Sequence, residues 1–179
     1  MPQPPSRRQN TEHHGMNHFE IERKFLVNDA GWTHEIRETI PMCQGYLNSG
    51  ASGSVRVRIA DSKAWLNIKG ATVGAQRLEF EYEIPAEHAR IMLDTMAVGP
   101  LIEKTRYLVD HGLHTFEIDV FEGENAGLVV AEIELSHPDE VFERPNWLGL
   151  EVTEDIRYYN TMLAQHPYSR WAEGQSTCT

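Results

Sequence analysis

Charged residues recur at every second position through most strand-like stretches of this chain, and neighbours in a set often carry the same sign. Residues i, i+2 and i+4 of a β-strand share one face. Glu20, Glu22 and Lys24 therefore point together, as do Arg56 with Arg58, and Lys69 with Asn67. The same holds for Arg77, Glu79, Glu81 and Glu83, for Lys104 with Arg106, for Glu117 with Asp119, and for Glu132 with Glu134. Between them stand apolar residues: Val55, Val57 and Ile59; Leu78, Phe80 and Tyr82; Phe116, Ile118 and Val120; Ile133 and Leu135. One such strand is ordinary, because a half-buried antiparallel strand turns its polar side to water. The full set is harder to explain by solvation. Like charges on adjacent same-face positions repel, by about 4 kcal/mol at ~4 Å and an effective dielectric near 20. Stability alone would alternate the signs, so like-sign pairs imply a partner of opposite charge between them.

The residue types suggest what that partner is. Paired carboxylates suit a hard divalent cation, Mg²⁺ or Mn²⁺, which prefers oxygen ligands. Paired Arg and Lys suit phosphate oxygens, with Arg offering a bidentate fork. Together they describe a phosphoryl-transfer site. Gly50, Gly53, Gly70 and Gly74 fall in hairpin turns with no following helix in P-loop order, which argues against a P-loop.

Turn signals space the strands closely, and short links join antiparallel neighbours. The expected strands are Phe19–Val27, Met42–Leu47, Ser54–Ala60, Ala64–Lys69, Arg77–Ile84, Leu101–Asp110, His114–Phe121 and Leu128–Leu135. Expected helices are few: Trp32–Glu38, Ala86–Met96 after Pro85, and Asp155–Gln165 before Pro167. This is a mainly β (α+β) pattern with room for one domain in 179 residues. Residues 1–17 read as a disordered leader, 18–167 as the domain, and 168–179 as a polar tail. A net charge of −11 argues against general nucleic-acid binding. No stretch approaches the roughly 20 apolar residues of a membrane helix. Cys43 and Cys178 lie far apart, which favours a reducing cytoplasm over a disulfide framework. The four tryptophans and the scattered histidines read as packing and surface residues.

Glu20-Ile21-Glu22-Arg23-Lys24 resembles the ExExK signature of the CYTH superfamily, the triphosphate tunnel metalloenzymes. Further matches follow in the family's order: Gln44-Gly45-Tyr46-Leu47, Val55-Arg56-Val57-Arg58, Ile68-Lys69-Gly70, Arg77 to Ile84, Glu103 to Tyr107, Asp119-Val120-Phe121, Ala131 to Glu134 and Trp147 to Thr153. The resemblance implies an eight-stranded antiparallel β-barrel forming a charged tunnel, with a few flanking helices. It implies activity on a triphosphate-containing small molecule with Mg²⁺ or Mn²⁺. By motif position Lys24, Arg56, Arg58, Lys69, Lys104 and Arg106 would hold phosphates. Glu20, Glu22, Glu79, Glu81, Asp119, Glu132 and Glu134 would serve the metal. The short bacterial branch that the chain resembles implies hydrolysis of inorganic triphosphate, with Lys104 and Tyr46 in catalysis. Adenylate cyclase and thiamine triphosphatase activity are alternatives within the superfamily, and a non-catalytic polyphosphate or nucleotide binder is the alternative outside it. A homodimer is compatible with this reading.

Overall fold

The computed structural model describes residues 21–50, 53–70 and 79–171. Glu20, Arg77, the leader and Cys178 lie outside them. Nine strands form one antiparallel sheet: β1 Ile21–Val27, β2 Ile36–Gly50, β3 Gly53–Ala60, β4 Lys63–Gly70, β5 Glu79–Ile84, β6 Ile102–His111, β7 His114–Phe121, β8 Val129–Leu135 and β9 Leu148–Glu151. Their order across the sheet is β5-β4-β3-β2-β6-β7-β8-β1-β9. Among the described residues β5 and β9 do not pair with each other, so the ladder is open at one seam. The sheet nevertheless curls, because side chains from β1 through β8 meet around one cavity.

Three differences from the sequence reading have physical causes. Ile36–Glu38, expected as the end of a helix, opens a strand that runs on through Pro41, and only a 3₁₀ turn spans Gly31–Glu35. Pro41 is tolerated because β2 pairs here with β6 alone; its pairing with β3 begins at Met42. A ninth strand, β9, adds to β1. The stretch expected as helix Asp155–Gln165 is instead a 3₁₀ turn at Ile156–Tyr158 and a four-residue helix α2 at Asn160–Leu163. Tyr159 between them is extended, with φ −78° and ψ 137°. The helix expected over Ala86–Met96 is present as α1.

Apolar residues on the outer face are covered. Helix α1 packs on β2, β3 and β4, with Ala89 and Leu93 against Val57 and Ala64. Gly45 lets the layers approach there, because a Cβ would stand 2.8 Å from Leu101 Cδ2 and 2.9 Å from Leu93 Cδ2 and those side chains would have to shift. The outer side of β1, β7 and β8 offers Phe25, Phe116, Ile118 and Ile133, packed with Trp32, Trp147 and Phe142. The inner face is not charged throughout. Its alternation continues at one end into Tyr46, Ile102, Phe121 and Val130, which pack with Leu163 of α2. The charged interior thus has an apolar floor.

The segment after β8 is fastened by Glu140, whose carboxylate accepts from Ser136 N and Oγ at 2.6 Å and contacts His114 Nε2 at 2.9 Å. The Ser136 side chain, His114 and the Ser136 amide hold its pKa down at about 2. A depressed carboxylate contributes stability above its ordinary value of 4.5 and loses it as pH falls toward the folded value. Glu140→Gln should therefore lower Tm at pH 7, and the gap to wild type should shrink between pH 4.5 and about 2. Thermal melts across that range check this.

Candidate functional site

The inner faces of eight strands enclose a cavity of about 520 Å³. Six cations line it: Lys24 from β1, Arg56 and Arg58 from β3, Lys69 from β4, and Lys104 and Arg106 from β6. Six carboxylates share it: Glu22, Glu79, Glu81, Glu117, Glu132 and Glu134. A second lobe of about 350 Å³ adjoins, sharing Glu22, Lys24, Arg56, Lys69 and Asn160. Its own wall is neutral or aromatic, with Tyr46, Ser54, Asn67, Thr153, Tyr159 and Thr161. All six expected phosphate residues, and five of the seven expected metal-side carboxylates, therefore lie around one space. Asp119 is not among the lining residues, and Glu20 falls outside the described region.

Sheet pairing sharpens the electrostatics. Glu22 stands directly opposite Glu134, and Glu117 opposite Glu132. Directly opposed like charges destabilise a sheet. Burial, then Glu132, push the Glu22 carboxyl above its ordinary value, although Lys24 contacts it. Burial likewise raises Glu117. Glu132 behaves differently. Burial opposes its ionisation, but Lys104, Lys24 and Arg106 together outweigh that and hold its carboxyl well below the usual range. Lys24 donates to Glu132 Oε1, and Arg106 Nη2 to Oε2 at 2.8 Å. The sequence reading expected an added cation to relieve repulsion at Glu132; the protein's own cations already do so.

Asp119 lies behind the wall, fully buried. Arg106 grips it with a fork, Nε to Oδ1 and Nη2 to Oδ2, both at 2.7 Å, and Lys104 also donates to Oδ2. Asp119 thus fixes two cavity cations. Burial, reinforced by Arg106, lowers the Lys104 pKa despite Asp119. On β3, burial and then Arg56 lower the Arg58 pKa. Arg58 lies over the Trp65 ring, 5.1 Å from its centroid, and 3.3 Å from Glu81. Lys69 pairs with Glu79 at 2.9 Å. Among the described residues Arg56 has no ion-pair partner within 4 Å, and its Nε has no hydrogen-bond partner.

Sequence reasoning named the neutral amides Asn67 and Gln44 but gave neither a role in the site. Asn67 donates to Glu79 at 2.6 Å and to Glu81 at 3.3 Å, and so aligns the carboxylates of the edge strand. Gln44 lines the main cavity, is 1% exposed, and its Nε2 has no partner. An unmet buried donor costs about 1–3 kcal/mol. Strand parity placed both on the inner face; no charge drew notice to them. Tyr46 lines the neutral lobe and Lys104 the main one. Lys104 pairs across the sheet with Met42, four residues before Tyr46, or about 13 Å along the strand.

The donor set suits a hard divalent ion, since all the acidic groups are oxygen ligands. The opposed pair Glu22/Glu134 supplies the reason for one. Among the described residues, no three His, Cys, Asp or Glu side chains stand ready-gathered at metal-binding distance. Charge balance points the same way: six cations against six carboxylates leave little net attraction for a polyanion unless a cation engages the carboxylates.

An antiparallel sheet curled around facing rows of cations and carboxylates defines a class of protein built to hold a polyanion together with metal. The chain belongs to the CYTH domain family, whose model matches residues 18–168. It is 43% identical over 154 residues to an inorganic triphosphatase of Acetivibrio thermocellus, covering 86% of this chain and 98% of the relative. It is 38% identical over 151 residues to an inorganic triphosphatase of Nitrosomonas europaea, covering 81% and 96%. A crystal structure of an inorganic triphosphatase superposes with a TM-score of 0.65 at 34% identity, over 81% of this chain and 93% of that one. No helix among the described residues is long and apolar enough to cross a membrane.

Proposed function

We propose that this chain hydrolyses inorganic triphosphate to pyrophosphate and orthophosphate, using Mg²⁺ or Mn²⁺. The observation that carries the reading is the gathering of six of the chain's 16 lysines and arginines around one cavity in a protein of net charge −11. The two relatives named inorganic triphosphatases support it.

Lys24, Arg56, Arg58, Lys69 and Arg106 bind and align the phosphoryl groups. Glu22, Glu132 and Glu134, together with Glu79, Glu81 and Glu20, would hold the metal. Asp119 acts from behind through Lys104 and Arg106. The metal supplies polarisation of the phosphoryl oxygens. Water attacks the terminal phosphorus in line with the bridging oxygen, whose bond to that phosphorus breaks as pyrophosphate leaves. Lys104 Nζ takes the water's proton when it is in its neutral form, whose share its lowered pKa raises. Tyr46 orients the chain of phosphates from the neutral lobe. The setting proposed is the cytoplasm.

The test is incubation with tripolyphosphate and Mg²⁺ or Mn²⁺, with products separated by anion exchange. Equal amounts of pyrophosphate and orthophosphate, abolished by EDTA, are expected. Cyclic AMP from ATP without tripolyphosphate cleavage would replace this reading with a cyclase, and tight binding without turnover would replace it with a binder.

Arg56→Ala should weaken triphosphate far more than orthophosphate. Arg56 and Arg58 lie one pleat repeat apart, about 6.6–6.8 Å, a span that fits two neighbouring phosphoryl groups. A charge-assisted contact is worth roughly 1.5–3 kcal/mol, so losing Arg56 should cost about 10- to 150-fold in triphosphate affinity. Calorimetric titration with both anions, Ca²⁺ replacing Mg²⁺, measures this. Equal weakening of both would show that Arg56 does not sense chain length.

A further inference from the structure

We propose that Gln44 donates a hydrogen bond from Nε2 to a phosphoryl oxygen of the bound triphosphate. The assignment rests on the triphosphatase reading and adds to it a residue that charge patterning did not mark.

Gln44 lies near the middle of β2, with a substrate-facing strand on each side. It pairs with Arg58 of β3 and with Ile102 of β6. Its same-face neighbours on β2 are Met42, opposite Lys104, and Tyr46, opposite Arg56. The amide therefore occupies the step between the two residues proposed for catalysis, where the charged wall meets the apolar floor of Tyr46 and Ile102. It is 1% exposed, and Nε2 has no partner among the described residues.

Buried polar groups are almost always satisfied. A methionine would fill the same volume without an unmet donor, so packing gives no reason for glutamine here. Ligand chemistry does. Arg58 and Lys104 already bring positive charge to this corner. A carboxylate at position 44 would neutralise them, and a third cation would repel them. A neutral amide adds a donor and leaves the charge balance unchanged. The acceptor it suits is an anionic oxygen held between Arg58 and Lys104, which is what a phosphoryl group presents. A donor set in advance at such an oxygen acts most strongly where negative charge builds during the displacement.

The test is Gln44→Met, with tripolyphosphate as the probe. Without ligand, the variant's Tm should equal or exceed wild type, since an unmet donor is removed. The rise in Tm caused by tripolyphosphate should shrink, and kcat/KM should fall about 10²-fold, as for loss of one preorganised donor. A ligand-free Tm that drops would show a structural role and overturn the proposal. So would a kcat/KM within twofold of an active wild type, which would leave the triphosphatase reading standing. A wild type neither stabilised by tripolyphosphate nor able to cleave it would sink both readings. A second variant, Gln44→Glu, keeps the shape and places an acceptor where the donor stood. It should abolish the tripolyphosphate-induced shift, and a retained shift overturns the proposal.

Discussion

Glu132→Gln is expected to destabilise the metal-free protein by about 3 kcal/mol at pH 7, whereas Glu134→Gln should change it by no more than about 0.5 kcal/mol. In sequence the two are equals, two residues apart on one strand face. In the fold Glu132 is 9% exposed and holds Lys24 and Arg106, while Glu134 is exposed and faces Glu22 across the sheet. Breaking a buried pair by removing one partner costs about 3–5 kcal/mol. The lower end applies because Lys24 keeps Glu22, and Arg106 keeps Asp119 and Glu117. Exposed substitutions usually stay within about 0.5 kcal/mol. The folded pKa of Glu132 lies below its ordinary 4.5, so its contribution is complete above that pH and is lost as pH falls through the folded value. The gap between Glu132→Gln and wild type should accordingly narrow below pH 4.5. Urea unfolding in EDTA at several pH values measures both variants, and equal losses would contradict the pairing seen around Glu132.

Lys104→Met should separate activity from stability. Lys104 is 3% exposed, and burial lowers its pKa. A base whose folded pKa is depressed destabilises the fold while it stays protonated, and that penalty is relieved as pH rises through the folded value. Removing the ammonium relieves that penalty, and Asp119 keeps both Arg106 contacts while Glu132 keeps Lys24 and Arg106, so Tm at pH 7 should stay close to wild type. Turnover of tripolyphosphate should fall by about 10²- to 10⁴-fold, the usual contribution of a positioned proton acceptor. A variant that keeps most of its kcat would remove Lys104 from the proton transfer, and one that unfolds would show that its pair with Asp119 is structural.

Much of this arrangement was legible because strand periodicity is local. Arg56 and Arg58 share a face in any β-strand, and so do Lys104 and Arg106. What periodicity cannot report is which strands become neighbours. Glu132 and Glu134 looked equivalent until pairing set one opposite Glu117 and the other opposite Glu22. Asp119 has the parity of a cavity residue, but the fork of Arg106 covers it. The first half of β2 was hidden by Pro41, which reads as a strand breaker unless one knows that only one side is paired. Strand β9 is four residues long, too short to show alternation, and exists because β1 offers it an edge. Gln44 and Asn67 carry no charge, so their importance appears only with their burial and their contacts.

The open seam gives the carboxylates of β5 a second consequence. An unpaired strand edge is a template on which another chain can add and seed aggregation. On β5 the outward residues Phe80 and Tyr82 are about half exposed, at 49% and 54%, which heightens that hazard. Yet Glu79, Glu81 and Glu83 alternate with them along the strand. A second β5 laid antiparallel in the same phase would set glutamate against glutamate, and like charges directly opposed resist pairing. Glu79 and Glu81, which face the polyanion cavity, thus also guard the sheet's border against self-association through this edge.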